Sequence, residues 1–168
     1  GVSGIGAADL LSEIGACPIL YDGNTAVEKE AVLKKTKGGY IPEIYIGELP
    51  KEVKDKLDLV VLSPGVPTDI PLVQDLKARG TRIIGEIELG FLAERGRVAA
   101  ITGTNGKTTT TTLVGEIMKA HLGQEKVFVV GNIGNPYTLE AEKTGPDTVT
   151  VGELSSFQLE TVDSFRPR

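Results

Sequence analysis

A glycine- and threonine-rich segment between an apolar run and a helix places the strongest constraint on the fold of this chain. Residues 98–102 (VAAIT) have the character of a buried strand, residues 102–109 read TGTNGKTT, and a helix is predicted from residue 107 to about 122. A strand, a glycine-rich turn and a helix in this order are typical of a loop that binds a nucleoside triphosphate. The segment departs from GxxxxGK[ST], because Ile101 and not glycine stands five residues before Gly106.

The residue types of this loop suit a phosphate group. Glycine allows the backbone to turn tightly and to bring its N–H groups onto phosphate oxygens, and the start of the following helix adds a positive dipole end. The side chain of Lys107 reaches the terminal phosphates, and Thr108 offers a hydroxyl to Mg²⁺. A structural turn rich in small residues is the alternative. We predict an ATP site with Mg²⁺, formed by Gly103, Thr104, Asn105, Gly106, Lys107, Thr108 and Thr109.

A carboxylate follows a later predicted strand, residues 148–151 (TVTV). A parallel strand delivers the residue at its carboxyl end to the ligand edge of the sheet, so Glu153 is a candidate Mg²⁺ ligand opposite Thr108. The alternative is an ordinary acid at the end of a strand. Ser155 and Gln158 fit a capping box for the next helix, which is a structural role.

Short apolar runs alternate with helical patterns along the rest of the chain, and this predicts an α/β fold with a parallel sheet buried on both faces. Two units are predicted, residues 1–85 and 86–168, with a connector that is helical at first and then charged. The chain is expected to begin within a glycine-rich turn and to be a fragment cut at both ends. Further strands are predicted at residues 18–22, 59–63, 81–84 and 126–130, a helix at 70–79, and solvated helix faces or loops at 27–37 and 51–58.

Composition excludes several classes of function. The net charge of −5 disfavours nonspecific binding to nucleic acid or to an anionic membrane surface. Cys17 is the only cysteine, so no intrachain disulfide forms and a reducing cytoplasm is the expected location. The sequence has no apolar run long enough to span a bilayer, and its composition leads us to expect neither a membrane span nor a leader.

Five strings together resemble the Mur ligases: LSPGVP (62–67), GEIEL (85–89), AITGTNGKTTTTTLVGE (100–116), GNIGNP (131–136) and ELSSFQLE (153–160). The last string, read with SPGV, is most similar to the branch of the family that adds D-glutamate. The resemblance implies a Rossmann-like UDP-sugar domain over the first unit. It also implies that the second unit is the first part of a P-loop ATPase-type central domain with a parallel sheet.

The resemblance also implies an activity. An intact enzyme of this kind phosphorylates the carboxylate of UDP-MurNAc-L-alanine with ATP, and the amine of D-glutamate attacks the acyl phosphate. The family's catalytic histidine, carbamylated lysine and C-terminal domain are expected beyond residue 168, so this fragment is expected to be inactive alone. The implied catalytic residues are Lys107 and Glu153, and the implied substrate-binding residues are Val2, Ser3, Asp22, Gly65 and Asn132.

Other functions remain open at this point. The loop alone does not separate this branch from other Mur-type ligases or from folylpolyglutamate-type ligases. Residues 1–4 could end a GxGxxG turn, with Asp22 as a ribose-binding acid, which is the pattern of a nicotinamide-dependent dehydrogenase. A noncatalytic nucleotide sensor is a third possibility. His121, the only histidine, falls near the end of a helix, where it is expected to complement the helix dipole.

Overall fold

The computed structural model of the protein describes residues 1–37 and 39–167. Its seven strands in these residues are β1 Ile19–Asp22, β2 Glu43–Ile46, β3 Leu59–Leu62, β4 Arg82–Gly85, β5 Arg97–Ile101, β6 Val127–Gly131 and β7 Val149–Glu153. The α-helices are α1 Val2–Glu13, α2 Lys29–Leu33, α3 Lys51–Lys54, α4 Pro71–Ala78, α5 Glu86–Ala93, α6 Lys107–Leu122, α7 Tyr137–Glu140 and α8 Ser156–Leu159. Short 3-10 turns span Gln124–Lys126 and Ala141–Lys143.

All strand pairs in the described residues are parallel, as the predicted α/β class requires. The strands form a pair β1-β2, a pair β3-β4, and a three-stranded sheet in the order β5-β7-β6. Strand β7 is fully buried along its length, because it lies between two neighbours and beneath helix α6. The α/β class with parallel strands is therefore confirmed. A continuous Rossmann-type sheet in the first unit remains a prediction.

The first residues of the chain do not form the predicted glycine-rich turn; they form helix α1. Its buried face includes Ile5, Ala7 and Leu10, and burial of these apolar side chains stabilises the helix despite its glycines. Gly6 has a packing role, since a Cβ atom there would lie 2.8 Å from Leu139. The glycines at the start of the chain therefore allow α1 to pack closely against Leu139, and they do not form a turn.

Helix α5 connects the two predicted units, and its first five residues are all buried. Ile87 belongs to a cluster with Val98 and other residues of the second unit. Leu89 belongs to a cluster with Leu10 and Ile84 of the first unit. The same helix therefore contributes to two hydrophobic cores.

The other predicted elements are confirmed with small shifts in their bounds. Helix α6 has the predicted bounds, and Gly123 ends it with a φ of 98°. The predicted strands lie within one or two residues of β1, β3, β4, β5, β6 and β7. The two charged stretches contain the short helices α2 and α3, while β2 was not predicted. Within the described residues, no helix is long and apolar enough to cross a membrane.

Candidate nucleotide-binding site

The glycine- and threonine-rich loop lies between the end of β5 at Ile101 and the start of α6 at Lys107. Gly103 has a φ of 145° and Gly106 a φ of 75°, a region of backbone conformation that favours glycine. The Nζ atom of Lys107 donates to the carbonyl oxygen of Gly103 at 2.7 Å, so the ammonium group lies over the loop. Residues 102–106 are exposed, which leaves the loop open to a ligand.

Glu153 is the last residue of β7, the central strand of the sheet. The strand register places it opposite Ile101 on one side and Gly131 on the other. The residue is only 4% exposed, and its Oε2 atom has no hydrogen-bond partner among residues 1–37 and 39–167. A buried carboxylate oxygen without a partner is costly, and a cation satisfies it.

The surroundings of Glu153 fit Mg²⁺ in part. The described residues contain no group of three or more His, Cys, Asp or Glu side chains that could hold a metal ion. Mg²⁺ is commonly bound by one or two carboxylates together with substrate phosphates and water, so a single carboxylate beside a phosphate loop is compatible with it. Thr108, one residue into α6, is the predicted hydroxyl ligand.

The turn after β6 brings Asn132 next to Glu153. The backbone N–H of Asn132 donates to the carbonyl oxygen of Glu153 at 2.9 Å. Gly131 makes this approach possible, since its φ is 103° and a Cβ atom there would overlap the backbone of Glu153. The side chain of Asn132 belongs to an exposed residue and is available to a substrate.

The remaining predicted substrate residues lie in the first unit. Val2 and Ser3 are in the first turn of α1, and the nitrogen of Gly1 lies 3.8 Å from Oδ2 of Asp22. Asp22 ends β1, and its Oδ1 accepts from the backbone N–H of Asn24 at 3.0 Å. The structure therefore brings the start of α1 close to the carboxyl end of β1.

The turn that carries Gly65 follows β3 and lies near the same end of α1. Gly65 has a φ of 90°, and the N–H of Val66 donates to the carbonyl oxygen of Ser63 at 3.1 Å. A Cβ atom on Gly4 would lie 3.4 Å from Oγ of Ser63, so α1 and this turn are in contact. The predicted residues thus form two groups, one around the start of α1 and one around Glu153.

The capping box of the last helix is confirmed. The N–H of Gln158 donates to Oγ of Ser155 at 3.3 Å, and Oε1 of Gln158 accepts from the N–H of Ser155 at 2.9 Å. This reciprocal pair fixes the start of α8 directly after the strand that carries Glu153.

Helix α5 carries two buried acids that were not predicted from the sequence. Glu88 is fully buried, and it accepts from the backbone N–H groups of Asp163 at 3.0 Å, Ser164 at 2.7 Å and Phe165 at 3.0 Å. Burial opposes the ionisation of Glu88, but these donors outweigh it and hold the pKa of its carboxyl below the usual value. The signal in the sequence is a pair of acids within an otherwise apolar helix, EIELGFLA.

The second missed acid is Glu86. It is 2% exposed, and its Oε1 accepts from the N–H of Thr138 at 2.7 Å and from the hydroxyl of Thr138 at 3.0 Å. Burial raises the pKa of Glu86, and the Thr138 donors oppose this only in part. Its other oxygen, Oε2, has no hydrogen-bond partner in the part of the chain that the structure describes.

A phosphate-type loop and a buried acid at the carboxyl edge of a parallel sheet are features of nucleotide-using α/β proteins. Two models of known protein families match the chain. Residues 1–85 match the family model for the Mur ligase MurD-like N-terminal domain, and residues 101–167 match the model for the Mur ligase middle domain. The chain therefore belongs to the Mur ligase family.

Curated relatives carry one name, UDP-N-acetylmuramoylalanine--D-glutamate ligase. The relative from Lachnoclostridium phytofermentans is 56% identical over 167 residues, that from Lachnospira eligens 54% over 167, and that from Alkaliphilus metalliredigens 46% over 169. Each comparison covers 99% of this chain and 36% of the relative. The chain thus spans little more than a third of the length of these relatives.

Proposed function

We propose that this chain is the uridine-nucleotide-binding and ATP-binding part of a ligase that joins D-glutamate to UDP-MurNAc-L-alanine in peptidoglycan precursor synthesis. The relatives that carry this activity in their name are 46–56% identical across nearly the whole chain. The observation that supports the site most directly is the buried, unpartnered Oε2 of Glu153 beside the loop. Since ATP and a uridine nucleotide are the substrates, we place the protein in the cytoplasm.

The proposed reaction has two steps. The carboxylate of UDP-MurNAc-L-alanine attacks the γ-phosphorus of ATP, which gives an acyl phosphate and ADP. The amine of D-glutamate then attacks the acyl carbon, and an amide forms as phosphate leaves with the electrons of the broken bond. The amine also loses a proton in this step.

The residues of this chain contribute binding and charge to the first step. The backbone N–H groups of the loop and the ammonium of Lys107 hold the ATP phosphates and offset the negative charge on the migrating group. Glu153 and Thr108 would hold Mg²⁺, which supplies further charge neutralisation on the phosphates when it is bound. The proposed role of Asn132 is to orient the muramoyl substrate toward the loop, and its backbone hydrogen bond to Glu153 supports this.

Titration calorimetry with the full-length protein tests this proposal. We expect ATP with Mg²⁺ and UDP-MurNAc-L-alanine each to bind, and NAD to bind far more weakly than either. Preferential binding of NAD would refute the ligase assignment and favour a dehydrogenase. Binding of ATP without any turnover in the presence of all three substrates would favour a nucleotide sensor.

A substitution at Lys107 tests the role of the loop. Lys107→Ala is expected to lower turnover by at least about 100-fold, because it removes a charge that acts on the transferring phosphoryl group. The Kd for UDP-MurNAc-L-alanine should stay within about twofold of the wild-type value, since the residues predicted to bind the uridine nucleotide lie in the first unit, away from Lys107. The matched control is Lys77→Ala, which removes an exposed lysine of α4. Turnover at the wild-type rate by Lys107→Ala would refute the assignment.

A further inference from the structure

The turn between β6 and α7, residues 131–136, carries Asn132 and is tightly closed. The N–H of Gly131 donates to the carbonyl oxygen of Asn135 at 3.2 Å, and the N–H of Asn135 donates to the carbonyl oxygen of Val129 at 3.3 Å. Both bonds close the turn onto the end of β6. The turn therefore has little freedom of its own, and its position depends on the two elements that it joins.

Helix α7, on the far side of the turn, has no capping side chain at its own N-cap position. Pro136 stands there, and its ring carries no hydrogen-bonding group, so the first N–H groups of the helix need an acceptor from elsewhere. Glu86 supplies this acceptor, because its Oε1 accepts from the N–H of Thr138 at 2.7 Å and from the hydroxyl of the same residue at 3.0 Å. A carboxylate in the first turn of α5 thus caps α7.

Close packing holds the rest of α7 against the same two helices, α1 and α5. Tyr137 and Thr138 are each only 1% exposed. A Cβ atom on Gly90 of α5 would lie 2.6 Å from Cγ of Tyr137, and one on Gly6 of α1 would lie 2.8 Å from Cδ2 of Leu139. These contacts fix the body of α7, so the hydrogen bonds of the capping carboxylate act on its first turn, where residues 131–136 join it.

Further hydrogen bonds connect α7 through the turn to the candidate site. Nδ2 of Asn135 donates to Oε1 of Glu140 at 2.6 Å, which attaches the turn to α7. The backbone N–H of Asn132 donates to the carbonyl oxygen of Glu153 at 2.9 Å, which attaches the turn to the end of β7. A continuous series of contacts therefore runs from the start of α5 through α7 and the turn to Asn132.

We propose that Glu86 is a positioning residue for the muramoyl substrate: by capping α7 it fixes the turn that carries Asn132, and Asn132 contacts the substrate. This inference rests on the proposed function, and it assigns Glu86 no contact with the substrate. A carboxylate that is only 2% exposed meets little competition from water for its donors, so its hydrogen bonds hold the start of a four-residue helix that would not be stable alone. The GEIEL string thereby acts on a site residue through α7.

Calorimetry on the full-length protein, with UDP-MurNAc-L-alanine and with UDP alone, tests this role. Glu86→Ala removes the cap and should raise the Kd for UDP-MurNAc-L-alanine at least about tenfold, because Asn132 is no longer held in place. The Kd for UDP, which lacks the muramoyl group, should stay within about twofold of the wild-type value. Glu86→Gln keeps an oxygen that can accept from both donors of Thr138, so its Kd for UDP-MurNAc-L-alanine should stay within about threefold of wild type.

A double-mutant cycle with Asn132→Ala shows whether Glu86 acts through this residue. Asn132→Ala alone should also raise the Kd for UDP-MurNAc-L-alanine about tenfold. The double variant should bind no more than about threefold more weakly than either single variant, because both changes remove the same contact. Independent effects would instead multiply to about 100-fold.

Two further variants separate positioning from general stability. Val127→Ala changes a residue that is 5% exposed at the opposite end of β6, so it should lower the midpoint of urea unfolding but leave the Kd for UDP-MurNAc-L-alanine within about twofold of wild type. Thr138→Val removes only the hydroxyl donor, and it should raise this Kd about threefold even if Glu86→Ala does not fold. Hydrogen exchange at the amide of Asn132 should be faster in Thr138→Val and Glu86→Ala than in the wild type, because the turn is held less firmly.

Several results would overturn the inference while the proposed function stands. These are an unchanged Kd in Glu86→Ala, single effects that multiply in the double variant, and equal weakening of UDP and UDP-MurNAc-L-alanine. A Glu86→Gln variant that binds as weakly as Glu86→Ala would also overturn it, because the charge and not the cap of α7 would then be required. If the wild type binds neither uridine compound, the proposed function and this inference both fail.

Discussion

The buried carboxylate of Glu88 offers the sharpest test of how the segment after α8 is held against helix α5. It receives three backbone N–H groups from residues 163–165, at 2.7 to 3.0 Å, and so attaches the segment after α8 to helix α5. The change Glu88→Ala removes the acceptor from all three donors and leaves a space within a buried region. The change Glu88→Gln keeps the shape but removes the charge and one acceptor.

The expected loss follows from these contacts. A hydrogen bond to a charged group contributes about 1.5–3 kcal/mol to the free energy of unfolding. Asp163 and Ser164 are exposed, so water can form hydrogen bonds with their N–H groups in the variant and reduce the loss. We therefore expect Glu88→Ala to lower the free energy of unfolding by about 3–5 kcal/mol, and Glu88→Gln by about 2–4 kcal/mol. Typical domains are stable by only about 5–15 kcal/mol, so both changes should be readily measured.

The pH dependence provides an independent check with a defined sign. The pKa of Glu88 is lower in the folded chain than its ordinary value of 4.5, so its ionised form stabilises folding above that value. This contribution is lost as the pH falls from the unfolded pKa through the lower, folded one. The stability difference between wild type and Glu88→Gln should therefore be constant near neutral pH and shrink in acid.

Urea unfolding and hydrogen exchange measure the two aspects of this prediction. Unfolding curves give the change in free energy, and exchange at the amides of residues 163–165 reports the local attachment. Glu30→Gln, at an exposed carboxylate, is the matched control and should change stability by less than about 0.5 kcal/mol. A cost of under about 0.5 kcal/mol for Glu88→Gln, together with unprotected amides at residues 163–165 in the wild type, would refute the reasoning.

Three further changes probe the candidate site and its support. Glu153→Gln should weaken the Mg²⁺ dependence of ATP binding in the full-length protein, measured by titration with and without the metal; an unchanged dependence would contradict the metal role. Gly131→Ala should destabilise the chain by several kcal/mol, because its φ is 103° and the added Cβ overlaps the backbone of Glu153. Its control is Gly145→Ala, where no atom of the described residues lies within 4 Å of the added Cβ, and equal unfolding midpoints for the two variants would show the geometry to be wrong. Tyr137→Phe removes the hydroxyl that donates to Glu94 at 3.0 Å and should lower the free energy of unfolding in urea by about 1 kcal/mol; no measurable loss would show that water replaces this partly buried hydrogen bond.

The local parts of the fold were predictable from the sequence because their causes are local. Helix α6 follows from a loop glycine at its start and Gly123 at its end, and the capping box depends on Ser155 and Gln158 three positions apart. Short apolar runs marked most of the strands. Helix α1 was missed, since its glycines suggest a turn until the close approach of Leu139 to Gly6 is known.

The site was predictable only in part, because some of its contacts join residues that are far apart in the sequence. Glu153 could be placed at a sheet edge from its position after an apolar run, but its buried, unpartnered oxygen depends on packing that the sequence does not display. Glu86 and Glu88 have partners 52 and 75–77 residues away. A pattern of neighbouring residues cannot predict contacts at such separations. Two acids in an apolar helix do indicate that each acid has a hydrogen-bond partner elsewhere in the fold.

Helix α5, with Ile87 in one hydrophobic core and Leu89 in the other, limits how this sequence can be recombined. A crossover between residues 85 and 86 would take Leu10 and Ile84 from one parent and Leu89 from the other. These three side chains pack in one core, so they would no longer come from the same protein. Chimeras of related ligases joined at that point should therefore fold poorly unless these core positions are exchanged together with the helix. The boundary between the two units in the sequence is thus a poor crossover point for exchanging units between related ligases.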